Sequence, residues 1–294
     1  MHKTSKYRLL PLLVGLLIGC SSEKQPAIDL ASCRIVKTIY KSSTLGMKAE
    51  DIVDPELVTL EDGTKQQVSK ITTTTYTYDQ QGRISKVRED LLGGDYRIIS
   101  YSYTSTALYI VRESLANLVS NQVSVTYDTL PLNERGLITR SIGPLHGPLV
   151  LSYNANDQVI CDVGDIPVQT YEYTNGNLIQ RYENAYYVQR NGQWVPTDYL
   201  LKQYQYELGK PNLPLIYQFE GKLSRNLPVE ELWQMQQSAE FPNGPVYRKV
   251  FLYQYDQQGR VARRISHGKA LRADWLIEDD TYGLGVTDYQ YECK

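Results

Sequence analysis

The chain has 294 residues, with 31 Lys and Arg against 33 Asp and Glu and a formal net charge of -2. Its first twenty residues hold Lys3, Lys6 and Arg8 and no acidic side chain, so the remainder is mildly acidic. No basic surplus is left to neutralise phosphates, which excludes nucleic acid as a partner.

The chain opens with a basic stretch, His2 to Arg8, followed by an apolar run from Leu9 to Ile18 broken only by Pro11 and Gly15. A stable membrane-spanning helix needs about 20 apolar residues, so this shorter run reads as a secretory signal. It ends in Leu17-Ile18-Gly19-Cys20, which resembles the lipobox of bacterial lipoproteins. That resemblance implies a signal peptide over residues 1–19, with diacylglycerol on the Cys20 thiol and a further acyl chain such as palmitate. Residues 20–32 are then the lipidated Cys and a polar tether, and the lipid is the link to a membrane, since each buried CH₂ contributes about 0.8 kcal/mol. Ser21 and Ser22 stand where an aspartate would resemble an inner-membrane retention signal, which points to the outer membrane of a Gram-negative envelope.

Residues 33–294 read as a single antiparallel β domain. Tyrosine is its compositional outlier, 25 against 3 Phe, and falls with Thr, Val and Ile in alternating runs that suit a pleated, half-buried surface with wet hydroxyls. Arg34 to Tyr40 makes a first strand, Ser42 to Glu56 a loop, and Leu57 to Leu60 a strand that pairs across Asp62-Gly63 with Gln67 to Thr75. A repeated unit then takes over. Tyr76-Thr77-Tyr78-Asp79-Gln80-Gln81-Gly82-Arg83-Ile84 is nearly copied in Tyr253-Gln254-Tyr255-Asp256-Gln257-Gln258-Gly259-Arg260-Val261. Related couplets begin at Tyr101, Tyr171, Tyr204 and Tyr289, with weaker ones at Val125 and Leu151. Tyrosines one residue apart point to one side of a strand, and the Asp-to-Gly stretch makes a turn, so the unit is a hairpin. The predicted fold is all-β: a large curved antiparallel meander, open or closing to a barrel-like shape. An irregular insertion is expected over about 208–246, where Pro211, Pro214, Pro228, Pro242 and Pro245 argue against a central strand.

Three cysteines follow Cys20, and they cannot all pair within one chain. Cys33 opens the first strand and Cys293 lies one residue from the end, so a disulfide between the terminal strands is one reading, leaving Cys161 as a free buried thiol.

The Tyr-x-Tyr-Asp-x-x-Gly-Arg-Ile/Val unit resembles the tyrosine-aspartate repeat of Rhs-type proteins, which builds long spiralling sheets. Taken together, Cys20, Cys33, Lys210-Pro211-Asn212, Ser224-Arg225-Asn226-Leu227-Pro228, the hairpin at Tyr253 and the terminal Tyr289-Gln290-Tyr291-Glu292-Cys293 resemble a family of lipid-anchored Gram-negative domains of unknown function, described as porin-like in fold. The resemblance covers most of the chain after Cys20 but departs from it in the spacing before residue 150 and from Ala270 to Gly285. It implies a fold and no activity.

Chemistry is sparse. His146 and His267 have no His or Cys at ligand spacing, the acidic turns do not match a calcium loop, and Asp279 and Asp280, adjacent beside Trp275, would point to opposite faces of an extended chain. No cofactor, no metal site and no catalytic residue is expected. The predicted function is that of a non-catalytic envelope lipoprotein, a scaffold or interaction module for an envelope protein. The alternative is a carbohydrate-binding lipoprotein that presents Trp194, Trp233, Tyr171 and Tyr173 as a stacking platform to a glycan.

Overall fold

A computed structural model describes residues 33–115, 122–143, 147–163, 169–190, 193–236, 244–271 and 283–293. The strands are β1 (Cys33–Ser43), β2 (Glu56–Thr59), β3 (Lys65–Tyr78), β4 (Ile84–Leu91), β5 (Tyr96–Tyr103), β6 (Ala107–Leu115), β7 (Val123–Pro131) and β8 (Arg140–Gly143). They continue with β9 (Gly147–Tyr153), β10 (Val159–Val163), β11 (Gln169–Thr174), β12 (Asn177–Arg190), β13 (Gln193–Pro211), β14 (Asn226–Gln236), β15 (Gly244–Tyr255), β16 (Val261–Ala270) and β17 (Leu284–Cys293). All seventeen belong to one sheet, an antiparallel meander in which almost every strand pairs with its neighbour in sequence.

The two ends of the meander meet. β1 is paired on one edge with β3 and on the other with β17, in a register that sets Cys33 opposite Cys293, and a disulfide joins the two. Between β7 and β8 no ladder runs among the described residues; one bridge, Leu132 to Ile138, and the Thr139 N–H donating to the Pro131 carbonyl at 2.9 Å make the junction. The sheet therefore curls back on itself without being sealed into a barrel by continuous ladders.

Turn chemistry explains why the repeated units sit at one end of the sheet. One carboxylate oxygen of Asp79 accepts from the backbone N–H groups of Gln81 (3.0 Å) and Arg83 (2.8 Å), and Asp256 repeats the arrangement with Gln258 and Arg260 at 2.9 Å each. Asn133 and Asn154 do the same through their amide oxygens. Such a side chain mimics a turn's own backbone hydrogen bond, so the acidic and amide residues here shape the turns.

The second tyrosine of five couplets has a matching task. The hydroxyl of Tyr78 donates to the Ile35 carbonyl (2.6 Å), Tyr103 to Ile84 (2.8 Å), Tyr153 to Ile138 (2.8 Å), Tyr206 to Leu178 (2.6 Å) and Tyr291 to Val261 (2.7 Å). Each acceptor lies at or near the start of the strand paired directly with the tyrosine's own, so the hydroxyl closes the turn end of that strand pair. Phenylalanine would bury the same ring but leave that carbonyl without its donor. These five hydroxyls are thus bonded in place instead of wet, and burial pushes Tyr78 up to about 12, as it does Tyr101 and Tyr173.

The expected irregular insertion is far shorter than 208–246. β13 runs on to Pro211, β14 occupies Asn226–Gln236 and β15 starts at Gly244, so among the described residues of this stretch 212–225 alone leaves the sheet. Pro228 and Pro245 are accommodated where the ladder slips by a residue, opposite Tyr206 and Gln234 respectively. A bulge removes the demand for a ladder N–H that proline lacks, which is why these prolines did not exclude a strand. Glu230 to Met235 is strand throughout.

Residues 212–225 form a strap across the turn end. The Ile138 N–H donates to the Phe219 carbonyl (2.9 Å), Lys222 N–H to Asp157 (2.8 Å) and Arg225 N–H to Gly176 (2.9 Å), so the strap ties hairpins far apart in sequence. Phe219 is buried against Ile84, Val87, Leu108, Ile110, Leu130 and Ile138, which defines the inner face of the sheet. Gly221 has φ +94° and a Cβ there would lie 2.4 Å from the Asp157 carbonyl oxygen, so only glycine lets the strap reach that turn. On the opposite, outer face the β2–β3 hairpin packs Val58, Leu60 and Val68 on Ile265, Leu284 and Val286. Beside it Lys41 and Arg263 each pair with both Glu56 and Asp288.

Candidate functional site

Directly opposed residues of an antiparallel pair share a face, so the registers can be followed across five strands. Tyr171 of β11 faces Arg181 of β12, Arg181 faces Lys202 of β13, Lys202 faces Trp233 of β14, and Trp233 faces Tyr247 of β15. The side chains touch in that order except Arg181 and Lys202, which Glu183 joins. The Arg181 guanidinium lies 5.3 Å from the centre of the Tyr171 ring, the Lys202 ammonium 4.4 Å from that of Trp233, and the Trp233 and Tyr247 rings are 4.9 Å apart. This row lies on the inner face: β15 continues without a slip from Tyr247 through Lys249 to Tyr253, which faces Arg264, and Arg264 faces Thr287. Two residues on, Tyr289 faces Thr38, whose hydroxyl is 3.3 Å from that of Tyr76 beside Phe219.

Charge in the row is unevenly paired. Glu183 takes both Arg181 (3.0 Å) and Lys202 (2.9 Å), and Glu231 accepts the Trp233 indole N–H at 2.6 Å. Lys249 and Arg264, on the same face, have no carboxylate within ion-pair distance among the described residues. Burial pulls the Lys249 ammonium below the usual lysine range; Glu231 opposes that shift, and the positive charges of Arg264 and Lys202 add to it. The Lys249 ammonium lies 5.6 Å over the Phe251 ring, and a half-buried cation met only by a ring is costly unless an anion arrives to pair with it. Tyr247 is buried and backs Trp233, while Tyr171 and Trp233 stay part-exposed; such rings can stack on the apolar faces of a sugar while the cations take an acidic group.

The residues singled out in the sequence are only partly gathered here. Trp233 and Tyr171 stand in one row, and Tyr173 follows on the same face of β11. Trp194 faces Gln189 near the start of β13, and its side chain lies outside the described residues. Cys20, His146, Trp275, Asp279 and Asp280 also lie outside them, as does the side chain of Cys161, which faces Thr170. Arg181, Glu183, Lys202, Lys249 and Arg264 were not marked by any motif; no local pattern distinguishes them from other strand charges. Among the described residues no group of three His, Cys, Asp or Glu is placed to hold a metal ion, and no helix is long and apolar enough to cross a membrane.

No protein-family model and no curated protein matches the chain. Among solved structures it is similar to a porin-like protein from Bacteroides uniformis, at 15% identity and a TM-score of 0.52, over 88% of this chain and 98% of that one. A porin-like protein from Bacteroides vulgatus aligns over the same shares at 11% identity and a TM-score of 0.22, too low to argue from. The first likeness shows a porin-like β fold and nothing of activity.

Proposed function

We propose that this protein is a non-catalytic envelope lipoprotein, held at the outer membrane by lipid on Cys20, that captures acidic saccharides on the inner face of its sheet. The observation that carries this reading is the row Tyr171–Arg181–Lys202–Trp233–Tyr247 with Lys249 and Arg264 beside it, two cations that no carboxylate pairs among the described residues. A lipid anchor suits a sheet whose outer face is not an apolar band. On β16 and β17 that face carries Arg263 and Asp288, and on β4 Lys86, Arg88 and Asp90 alternate with the inward Val87 and Glu89. Cys20→Ala protein is expected in the soluble fraction; recovery in the membrane pellet would remove the anchor from the proposal.

Titration with oligogalacturonate, followed by tryptophan emission and calorimetry, tests the ligand. Binding is expected for the acidic oligomer and not for neutral dextran, with Lys249→Met weakening it by about tenfold or more, the usual worth of a charge-assisted contact. The pH dependence has a definite sign. Lys249 has a lower pKa folded than unfolded, so between the two values the unfolded chain holds more protons and stability rises with pH. Saccharide binding should fall over the same rise, beginning below 10.5, as the ammonium is lost. Lys249→Met should abolish both slopes and leave the protein at least as stable at neutral pH. Equal binding by wild type and variant would rule out the site.

A scaffold or interaction module is the second reading, favoured by the outer face of β7, where Val123, Val125 and Tyr127 are exposed. Strand addition has no template at β1 or β17, each paired on both edges; among the described residues β2, paired with β3 alone, and the β7–β8 junction offer open edges.

A further inference from the structure

At the turn end of the sheet, apart from the row of rings and cations, a cavity of roughly 630 Å³ opens between the strap and the ends of β1, β16 and β17. Its volume falls within the range of about 300–1,000 Å³ usual for small-molecule sites. The strap contributes Leu213, Pro214 and Leu215 and β16 contributes Val261, an apolar wall. Three cations line the rest, each over a tyrosine ring: Arg34 on Tyr78 (4.8 Å), Arg260 on Tyr291 (5.0 Å) and Lys210 on Tyr255 (4.6 Å).

Two of these charges are already met, Arg34 by Glu292 at 2.8 Å and Arg260 by Asp256 at 2.6 Å. Lys210 has no carboxylate within ion-pair distance among the described residues; the nearby Glu207 accepts the Tyr255 hydroxyl at 3.3 Å. The backbone at Lys210 is held in place. Its carbonyl accepts from the Asn226 amide (3.0 Å), and buried Asn226 is bound in turn by Asn177 at 3.0 and 2.9 Å. A built apolar wall with one uncommitted cation at its rim is complementary to a molecule with an apolar body and a single negative end.

We propose that this cavity binds an amphipathic monoanion: an acyl chain ending in a carboxylate or phosphate, with the chain against Leu213, Pro214, Leu215 and Val261 and the anion at Lys210. The test is calorimetric titration of the full-length protein with decanoate, decyl phosphate and decanol. At least one anion is expected to bind saturably and about tenfold or more tightly than decanol. Lys210→Gln, at an exposed strand end, should reduce that anion to the decanol level and leave decanol unchanged. Leu215→Trp, which fills the cavity, should remove binding of all three. Equal affinity of the wild type for decanol and both anions overturns the proposal, as does anion binding unaffected by Lys210→Gln. Attraction only to phosphatidylglycerol vesicles, with no binding of monomeric anion, would mean a surface charge effect and would overturn it too.

Discussion

Serine at both Cys33 and Cys293 is expected to cost the fold about 5 kcal/mol, the chain-entropy value for a loop of this size. The bridge spans 260 residues and fastens the first strand to the last, so without it the unfolded chain regains nearly all of its end-to-end freedom. In a domain of this length a loss of that size lowers Tm by roughly 10–20 °C. The partial compensation is the β1–β17 ladder itself, which remains, together with the Arg34–Glu292 pair beside it. Thermal unfolding with and without dithiothreitol checks the expectation: reductant should shift the wild type by the same amount and leave the double variant unmoved. An unshifted wild type would show that the two thiols are not joined.

Phe219→Ala should be nearly as damaging, about 3–5 kcal/mol, the range for removing a buried phenylalanine. Phe219 is 5% exposed and its ring stands 5.6 Å from Tyr101, 6.5 Å from Tyr103 and 5.8 Å from Tyr217, so it is the strap's buried anchor in the inner face, with Ile216 and Tyr217 packed beside it. The cavity left behind cannot close easily, because the surrounding aliphatic residues belong to strands fixed by their own ladders. Urea unfolding measures the loss, and limited proteolysis locates it: cleavage should appear within 212–225 before the strands are cut. Phe219→Leu, which keeps most of the volume, should recover more than half of the stability. A Phe219→Ala protein as stable and as protease-resistant as the wild type would mean that the backbone bonds at Ile138, Asp157 and Gly176 hold the strap alone.

Both expectations concern residues that the sequence displays unequally. The hairpins were legible because each is decided within about nine residues: Asp79 or Asp256 folds the turn around its own carboxylate, and the paired tyrosines flank it. The strap was visible only as irregularity, and its limits were misjudged. Pro228 and Pro245 read as strand breakers, and nothing local reveals that the ladder slips where they fall. Phe219 carried no signal at all, since its partners on β4, β6 and β7 lie more than eighty residues upstream.

The candidate site shows the same division. Tyr171, Tyr173 and Trp233 could be picked out as rings, but their neighbours Arg181, Lys202 and Lys249 look like any solvated strand charges. A shift of one residue at the Glu172–Tyr173 or Gln205–Tyr206 bulge would send a strand's side chains to the other face.

The amino-acid sequence by itself determined the strand-and-turn character of this protein, because a turn carboxylate and its flanking tyrosines act over distances that the local chain can enforce. Which charges and rings look into one another across the inner face, and that no carboxylate among the described residues reaches Lys249 or Lys210, follows from the tertiary structure alone. Register, bulges and the passage of the strap bring together groups that no local interaction connects.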